Sequence, residues 1–222
     1  MKQVCIILLC LSLLTGCGRS NSSVDSTESS ICTESSVPLV EQIEVHGYRC
    51  PETDMFETYA LLLTNNSDKT VDIEANIVAK DGNGNLVGAQ SGSARAVAPG
   101  QTAAIYGSFS DYHSTEKYEH QLVVSENQTQ QSVYGAIDLE YNLTGTKVVV
   151  SATNGSKYDA DDVWVSIIFL DEETPVGFRL LSMTTEDMRL PSGMTWVEEA
   201  LAAPDITFDS ILLGIEGTLE VD

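Results

Sequence analysis

Two stretches of this chain repeat one another about 90 positions apart, and that duplication limits the fold more than any other feature. Tyr59-Ala-Leu-Leu-Leu-Thr-Asn65 aligns with Val148-Val-Val-Ser-Ala-Thr-Asn154, and Asn66-Ser67 with Gly155-Ser156. Ile73-Glu-Ala-Asn-Ile-Val-Ala-Lys-Asp81 aligns with Val163-Trp-Val-Ser-Ile-Ile-Phe-Leu-Asp171, and Val87-Gly88 with Val176-Gly177. Pro99-Gly100-Gln101-Thr102 answers Pro191-Ser192-Gly193-Met194-Thr195, with one extra residue in the turn. Tyr118-Glu-His-Gln-Leu-Val123 answers Phe208-Asp-Ser-Ile-Leu-Leu213. Landmarks recurring in one order mark a duplicated structural unit.

Each unit consists of short β-branched runs separated by Asn, Gly, Asp and Pro, the pattern of strands and tight turns. The runs predict strands at 41–46, 57–64, 71–80, 85–91, 102–109 and 119–125, then at 134–141, 146–152, 162–170, 176–182, 194–200 and 208–220. No segment has the period of an amphipathic helix. The expected fold is all-β: two tandem immunoglobulin-like β-sandwich domains, at 39–126 and 134–222, joined by a polar linker at 127–133.

Ahead of the first strand the composition changes. Residues 17–38 are rich in Ser, Thr and acids, too poor in apolar side chains to offset their ordering entropy, and read as a disordered tether. Residues 1–16 hold Lys2 and then an apolar run of 11 residues from Val4 to Leu14, too short to span a bilayer but suited to a secretory signal. The run closes with Leu14-Thr15-Gly16-Cys17, which resembles the lipobox of bacterial lipoproteins. The resemblance implies a lipoprotein signal peptide at 1–16, acylation of Cys17, and a mature chain held at the extracytoplasmic face of the cell membrane by an N-terminal diacylglycerol. Several acyl chains hold such a protein stably where one does not.

The repeat landmarks themselves resemble FxLYD-type immunoglobulin-like modules of Gram-positive lipoproteins. The signature strand reads Ile77-x-Ala79-Lys80-Asp81 in one repeat and Ile167-x-Phe169-Leu170-Asp171 in the other. The aspartate is present in both; the Leu-Tyr positions are not. The family brings no catalytic residues to transfer, so this resemblance implies a fold and not a reaction.

Charge narrows the partners. The chain has 33 acidic residues against 11 basic ones, a net charge of −22. Such a surface repels nucleic acid and anionic headgroups, so membrane attachment falls to the lipid. No cofactor motif is present, and no Gly-x-Ser-x-Gly or phosphate-binding glycine loop. Cys32 and Cys50 are the two cysteines left after the signal and Cys17, and are read either as a disulfide pinning the tether or as two separate thiols.

Three acidic or amide-rich segments are weighed as cation sites. Asp81-Gly-Asn-Gly-Asn85 lacks the glycine and glutamate of a calcium loop and reads as a hairpin turn. Asp159, Asp161 and Asp162 are weak metal candidates beside the plainer reading of a solvated turn, and Asp171-Glu172-Glu173 reads the same way. His46, His113 and His120 are expected at the surface.

One difference between the repeats carries information. Strand 73–81 alternates apolar and polar, whereas Val163–Leu170 is apolar on both faces, its second face holding Trp164, Ile168 and Leu170. That face must be covered. The cover is either internal, from the segment after Gly177 or from the first domain, or it is a protein partner, with Trp164 as anchor. The expected activity is non-enzymatic: a binding or scaffolding module of the cell envelope. The alternatives are an accessory subunit that captures partner strands at its sheet edges, and a hydrolase using acidic residues.

Overall fold

Fourteen strands, and no α-helix among the described residues, account for the chain in a computed structural model that describes residues 37–51, 56–110, 112–144, 146–202 and 206–221. They are β1 (Ile43–Pro51), β2 (Glu57–Asn65), β3 (Val71–Lys80), β4 (Leu86–Val97), β5 (Thr102–Phe109), β6 (Lys117–Glu126), β7 (Gln131–Ser132), β8 (Ile137–Thr144), β9 (Lys147–Asn154), β10 (Ala160–Asp171), β11 (Thr174–Ser182), β12 (Arg189–Leu190), β13 (Thr195–Leu201) and β14 (Ser210–Leu219). The signal peptide, Cys17, Cys32 and all but the last two residues of the tether lie outside the described residues.

The fold is all-β and antiparallel. Sheets ordered β1-β2-β5 and β4-β3-β6 form the first half; β8-β9-β13 and β11-β10-β14-β7 form the second. The two halves have the same strand order. The repeats also share irregularities: the β3–β4 register shifts between Ala79 and Lys80, and the β10–β11 register between Phe169 and Leu170. A bulge retained at one position in both copies is a feature of the unit.

Turn chemistry is duplicated too. Asn65 is fully buried; its Nδ2 donates to the carbonyls of Lys69 (2.7 Å) and Val97 (2.8 Å), and its Oδ1 accepts from the backbone N–H and hydroxyl of Ser67 at 3.0 and 2.7 Å. Asn154, equally buried, donates to Tyr158 (2.8 Å) and Leu190 (2.9 Å) and accepts from the N–H and hydroxyl of Ser156 at 3.0 and 2.8 Å. Each amide thus ties the β2–β3 or β9–β10 turn to the backbone of the strand opposite, satisfying groups that burial would otherwise strand.

The structure moves one alignment. Ala79 pairs with Tyr118, and its counterpart Phe169 pairs with Ile211. Tyr118 therefore corresponds to Ile211, three residues beyond Phe208, because the second repeat carries extra residues before its last strand. The expected strand at 134–141 begins later, at Ile137, and ends at Thr144.

Three apolar layers hold the sheets. Leu61, Leu63, Ile73, Ile77 and Ile105 fill the first half, and Val148, Val150, Val165, Ile167 and Phe169 the second. A third cluster joins Cys50, Ala60, Leu62 and Ala104 of the first half to Ile168, Leu170 and Phe178 of the second. β2 and β10 each bury both faces, so the four sheets stack in the order β4-β3-β6, β1-β2-β5, β11-β10-β14, β8-β9-β13. Residues Val37–Asp222 accordingly form one compact unit.

This stacking corrects the outer-partner reading of β10. Ile168 is fully buried and Leu170 is 9% exposed, both against the first half, so neither is open to another protein. The face is covered from within because Ala60 and Ala104 present small side chains that let the two sheets approach. Trp164 alone of the three stays at the margin, partly exposed.

Candidate ligand-binding cleft between the two halves

The joint between the halves is polar at one end. Gln101 is fully buried; its Nε2 donates to the Ile215 carbonyl at 2.6 Å, and its Oε1 accepts from the Ser132 hydroxyl and the Ala98 N–H, both at 2.7 Å. One side chain thus links the first half, the connecting segment and β14. Beside it, Gly214 lets the backbones of β14 and β5 meet. A Cβ there would lie 2.6 Å from Ser166 Oγ and 3.3–3.4 Å from backbone atoms of Ala103 and Ala104.

Glu216 follows on the same strand face. Its Oε1 accepts from the Ala104 N–H at 3.2 Å. Glu216 is half-buried, and desolvation pushes its pKa up to about 7, opposed by that hydrogen bond. Trp164 is its direct cross-strand partner on β10. The β10–β14 register shifts between Asp161 and Trp164, and Asp162 takes a φ of +50° there, which displaces the end of the strand relative to its neighbour. Gly217, at φ +141°, allows this: a Cβ would sit 3.0 and 3.1 Å from the carbonyl oxygens of Asp161 and Asp162.

These features converge on a cleft of about 300 Å³, walled by Arg95 of β4, Gln130 before β7, Asp162 and Trp164 of β10, and Glu216 and Thr218 of β14. A second chamber of about 230 Å³ shares Ser93, Arg95 and Gln130 with it and continues along Asp72 and Asn127 of the first half. The space is an elongated groove across the joint. Arg95 is exposed and makes no ion pair with any of the described residues, although acids outnumber bases threefold in this chain. By contrast Arg49 is engaged with Glu57, and Arg189 with Asp161 and Glu220.

A wider groove of about 680 Å³ lies along Gln131, Asp138, Lys157 and Tyr158. Two of its polar groups are engaged elsewhere: Ser156 serves the Asn154 turn, and the Lys157 ammonium sits 4.7 Å from the centre of the Tyr158 ring.

The remaining sequence candidates are dispersed. Asp159 accepts from the Ser192 N–H at 2.9 Å, Asp161 faces Arg189 at 3.4 Å, and Asp162 turns to the cleft. No group of three metal-ligating side chains occurs among the described residues. Asp81 is used within its own turn, accepting from the N–H groups of Asn83 and Asn85 and from the Asn85 side chain; that last bond leads in lowering its pKa. Cys50 is buried in the cluster between the halves. His46 and His120 are exposed.

Arg95, Gln101, Gln130 and Glu216 did not emerge from the sequence. For two of them a signal existed. Met194 occupies the turn position answering Gln101, and Glu216 follows the apolar run Ile211–Leu213, on the strand face shared with Leu212. A polar residue where the other repeat is apolar, and an acid on an apolar face, both mark a changed environment.

No family model matches the chain, and no curated protein does so significantly. Among solved structures it is similar to the crystal structure of red sea bream transglutaminase, with a TM-score of 0.27 and 8% identity over 79% of this chain. The chain spans 29% of that enzyme's length, and a likeness at this level carries no argument.

Proposed function

We propose that this chain is a lipoprotein of the extracytoplasmic face of the cell membrane, anchored through diacylglycerol on Cys17, and that it serves as a non-enzymatic binding module of FxLYD-type sandwich repeats. The observation that carries the address is Leu14-Thr15-Gly16-Cys17 closing an apolar run. Binding is supported by the groove at the joint, lined by an Arg95 guanidinium in no ion pair with any described residue, the Trp164 indole and the half-buried Glu216 carboxyl. The Ser/Thr-rich segment 17–38 then acts as spacer between lipid and β-sandwiches.

Metabolic labelling with a palmitate analogue tests the anchor. The wild-type chain incorporates label and partitions with membranes; Cys17→Ser abolishes both. Label persisting in Cys17→Ser would overturn the assignment. Crosslinking in intact cells from a photoreactive residue at position 95 tests the groove as a recognition site.

One observation favours a second reading, the acid-dependent hydrolase. Asp162 and Glu216 line the same cleft, and Glu216 has the raised pKa of a general acid. Release of new reducing ends from an oligosaccharide, lost in Glu216→Gln, would establish it.

A further inference from the structure

The groove across the joint contains donors and acceptors in a mixture that selects among ligand chemistries. Arg95, Gln130 and Thr218 supply hydrogen-bond donors; Asp162 and Glu216 supply carboxyl oxygens. A strongly anionic ligand meets two carboxyl groups here, within a chain of net charge −22. A cationic ligand meets Arg95. A neutral ligand rich in hydroxyl groups satisfies both sets, because each hydroxyl donates and accepts. Trp164 adds an apolar ring surface to the same wall, suited to the flat C–H face of a pyranose. The second chamber, reached past Arg95 and Gln130, gives the groove room for more than one ring.

We infer that the groove bounded by Arg95, Gln130, Asp162, Trp164 and Glu216 is a binding site for a neutral oligosaccharide. This inference rests on the reading of the chain as a binding module and specifies what that module takes. Neither half forms the site alone, since Arg95 comes from the first repeat and Trp164 and Glu216 from the second. The buried Gln101 bridge and the Gly214 contact hold the two walls at fixed spacing, so the site is preorganised by the stacking itself.

The test uses the full chain in detergent, titrated separately with chitotriose, cellotriose and maltotriose. In a Trp196→Phe background Trp164 is the sole tryptophan, and its emission reports on the groove. At least one trisaccharide is expected to bind saturably by calorimetry and to shift that emission. Trp164→Ala and Arg95→Ala each weaken binding by roughly tenfold or more, while thermal melting stays unchanged. Absence of saturable binding by all three sugars overturns the inference, as does binding that survives both substitutions. If the sugars fail but a photoreactive residue at 95 captures a protein in cells, the groove remains a recognition site for a different ligand. If both fail, the groove as a recognition site falls as well, and palmitate labelling decides the anchor independently.

Discussion

The two halves of this molecule are built from the same plan and put to different uses. Both have the buried Asn–Ser clip, and both pair threonine hydroxyls across equivalent strands, Thr64 with Thr102 at 2.9 Å and Thr153 with Thr195 at 2.8 Å. They differ in what lies outside each sandwich. In the first half the outer face of β1-β2-β5 carries Ala60, Leu62 and Ala104 and is covered by the second half. The equivalent face of β8-β9-β13 carries Val149, Ser151 and Val197 and is open, with Val197 56% exposed. The pair Glu74 and Val123, on the free face of β4-β3-β6, answers Trp164 and Glu216 at the joint. An exposed valine thus corresponds to a half-buried glutamate. Duplication supplied the sandwich; a few divergent positions turned two copies into one stacked body with a cleft.

The clip offers the most severe test of equivalence. Asn65→Ala and Asn154→Ala each remove four hydrogen bonds and strand buried carbonyl groups, and each is expected to lower stability by about 3 kcal/mol in urea denaturation. Unequal losses beyond about 1 kcal/mol would show that the halves are not energetically matched at their most similar feature.

Glu216 sharpens the contrast with Val123. Its folded pKa is raised from 4.5 to about 7, so the folded state holds its proton more tightly than the unfolded chain does. Below pH 4.5 both states are protonated and the group has no effect. As pH rises towards 7 the unfolded chain ionises first and stability falls; above about 7 the loss levels off near 3 kcal/mol. Glu216→Gln should remove that slope and stabilise the protein at pH 8, as read from denaturation midpoints across pH. An unchanged slope would mean that the carboxyl is solvated and the joint wetter than the stacking implies.

Gln101→Met converts one turn to the residue of the other repeat. It leaves the Ile215 carbonyl, the Ala98 N–H and the Ser132 hydroxyl without the partner that joins the halves, and should cost about 2 kcal/mol. Met194→Gln, at an exposed position, should change stability by less than about 0.5 kcal/mol. A small net effect is also expected at Trp196. Its indole N–H is buried without a hydrogen-bond partner among the described residues, so the apolar volume lost in Trp196→Phe is offset by relief of that group, and the net change should stay within about 1 kcal/mol. A larger loss would point to ring packing as the dominant contribution.

Much of each half was legible because strand faces and turns are local. Alternation at Ile73, Ala75, Ile77 and Ala79 identifies an inward face, and the Pro-Gly and Asn-x-Ser turns place its ends. The doubly apolar Val163–Leu170 strand announced that something covers it, though not what. Ala60-Leu61-Leu62-Leu63 reads no differently from Val148-Val149-Val150, yet the first run is buried on both faces and the second on one. On the outer faces only Leu62 against Ser151 separates these runs, too small a difference to show which face another sheet covers.

The sequence by itself determined an all-β chain and the landmarks repeated at its turns, since these depend on neighbours within a few residues. Only the tertiary structure decided which outer faces meet, that Ile168 and Leu170 are internal, and that Arg95, Trp164 and Glu216 share one groove. Arg95 and Glu216 are 121 positions apart in the chain. Their proximity follows from sheet stacking, which depends on the fit of two whole surfaces, with small residues such as Ala104 and Gly214 allowing close backbone approach.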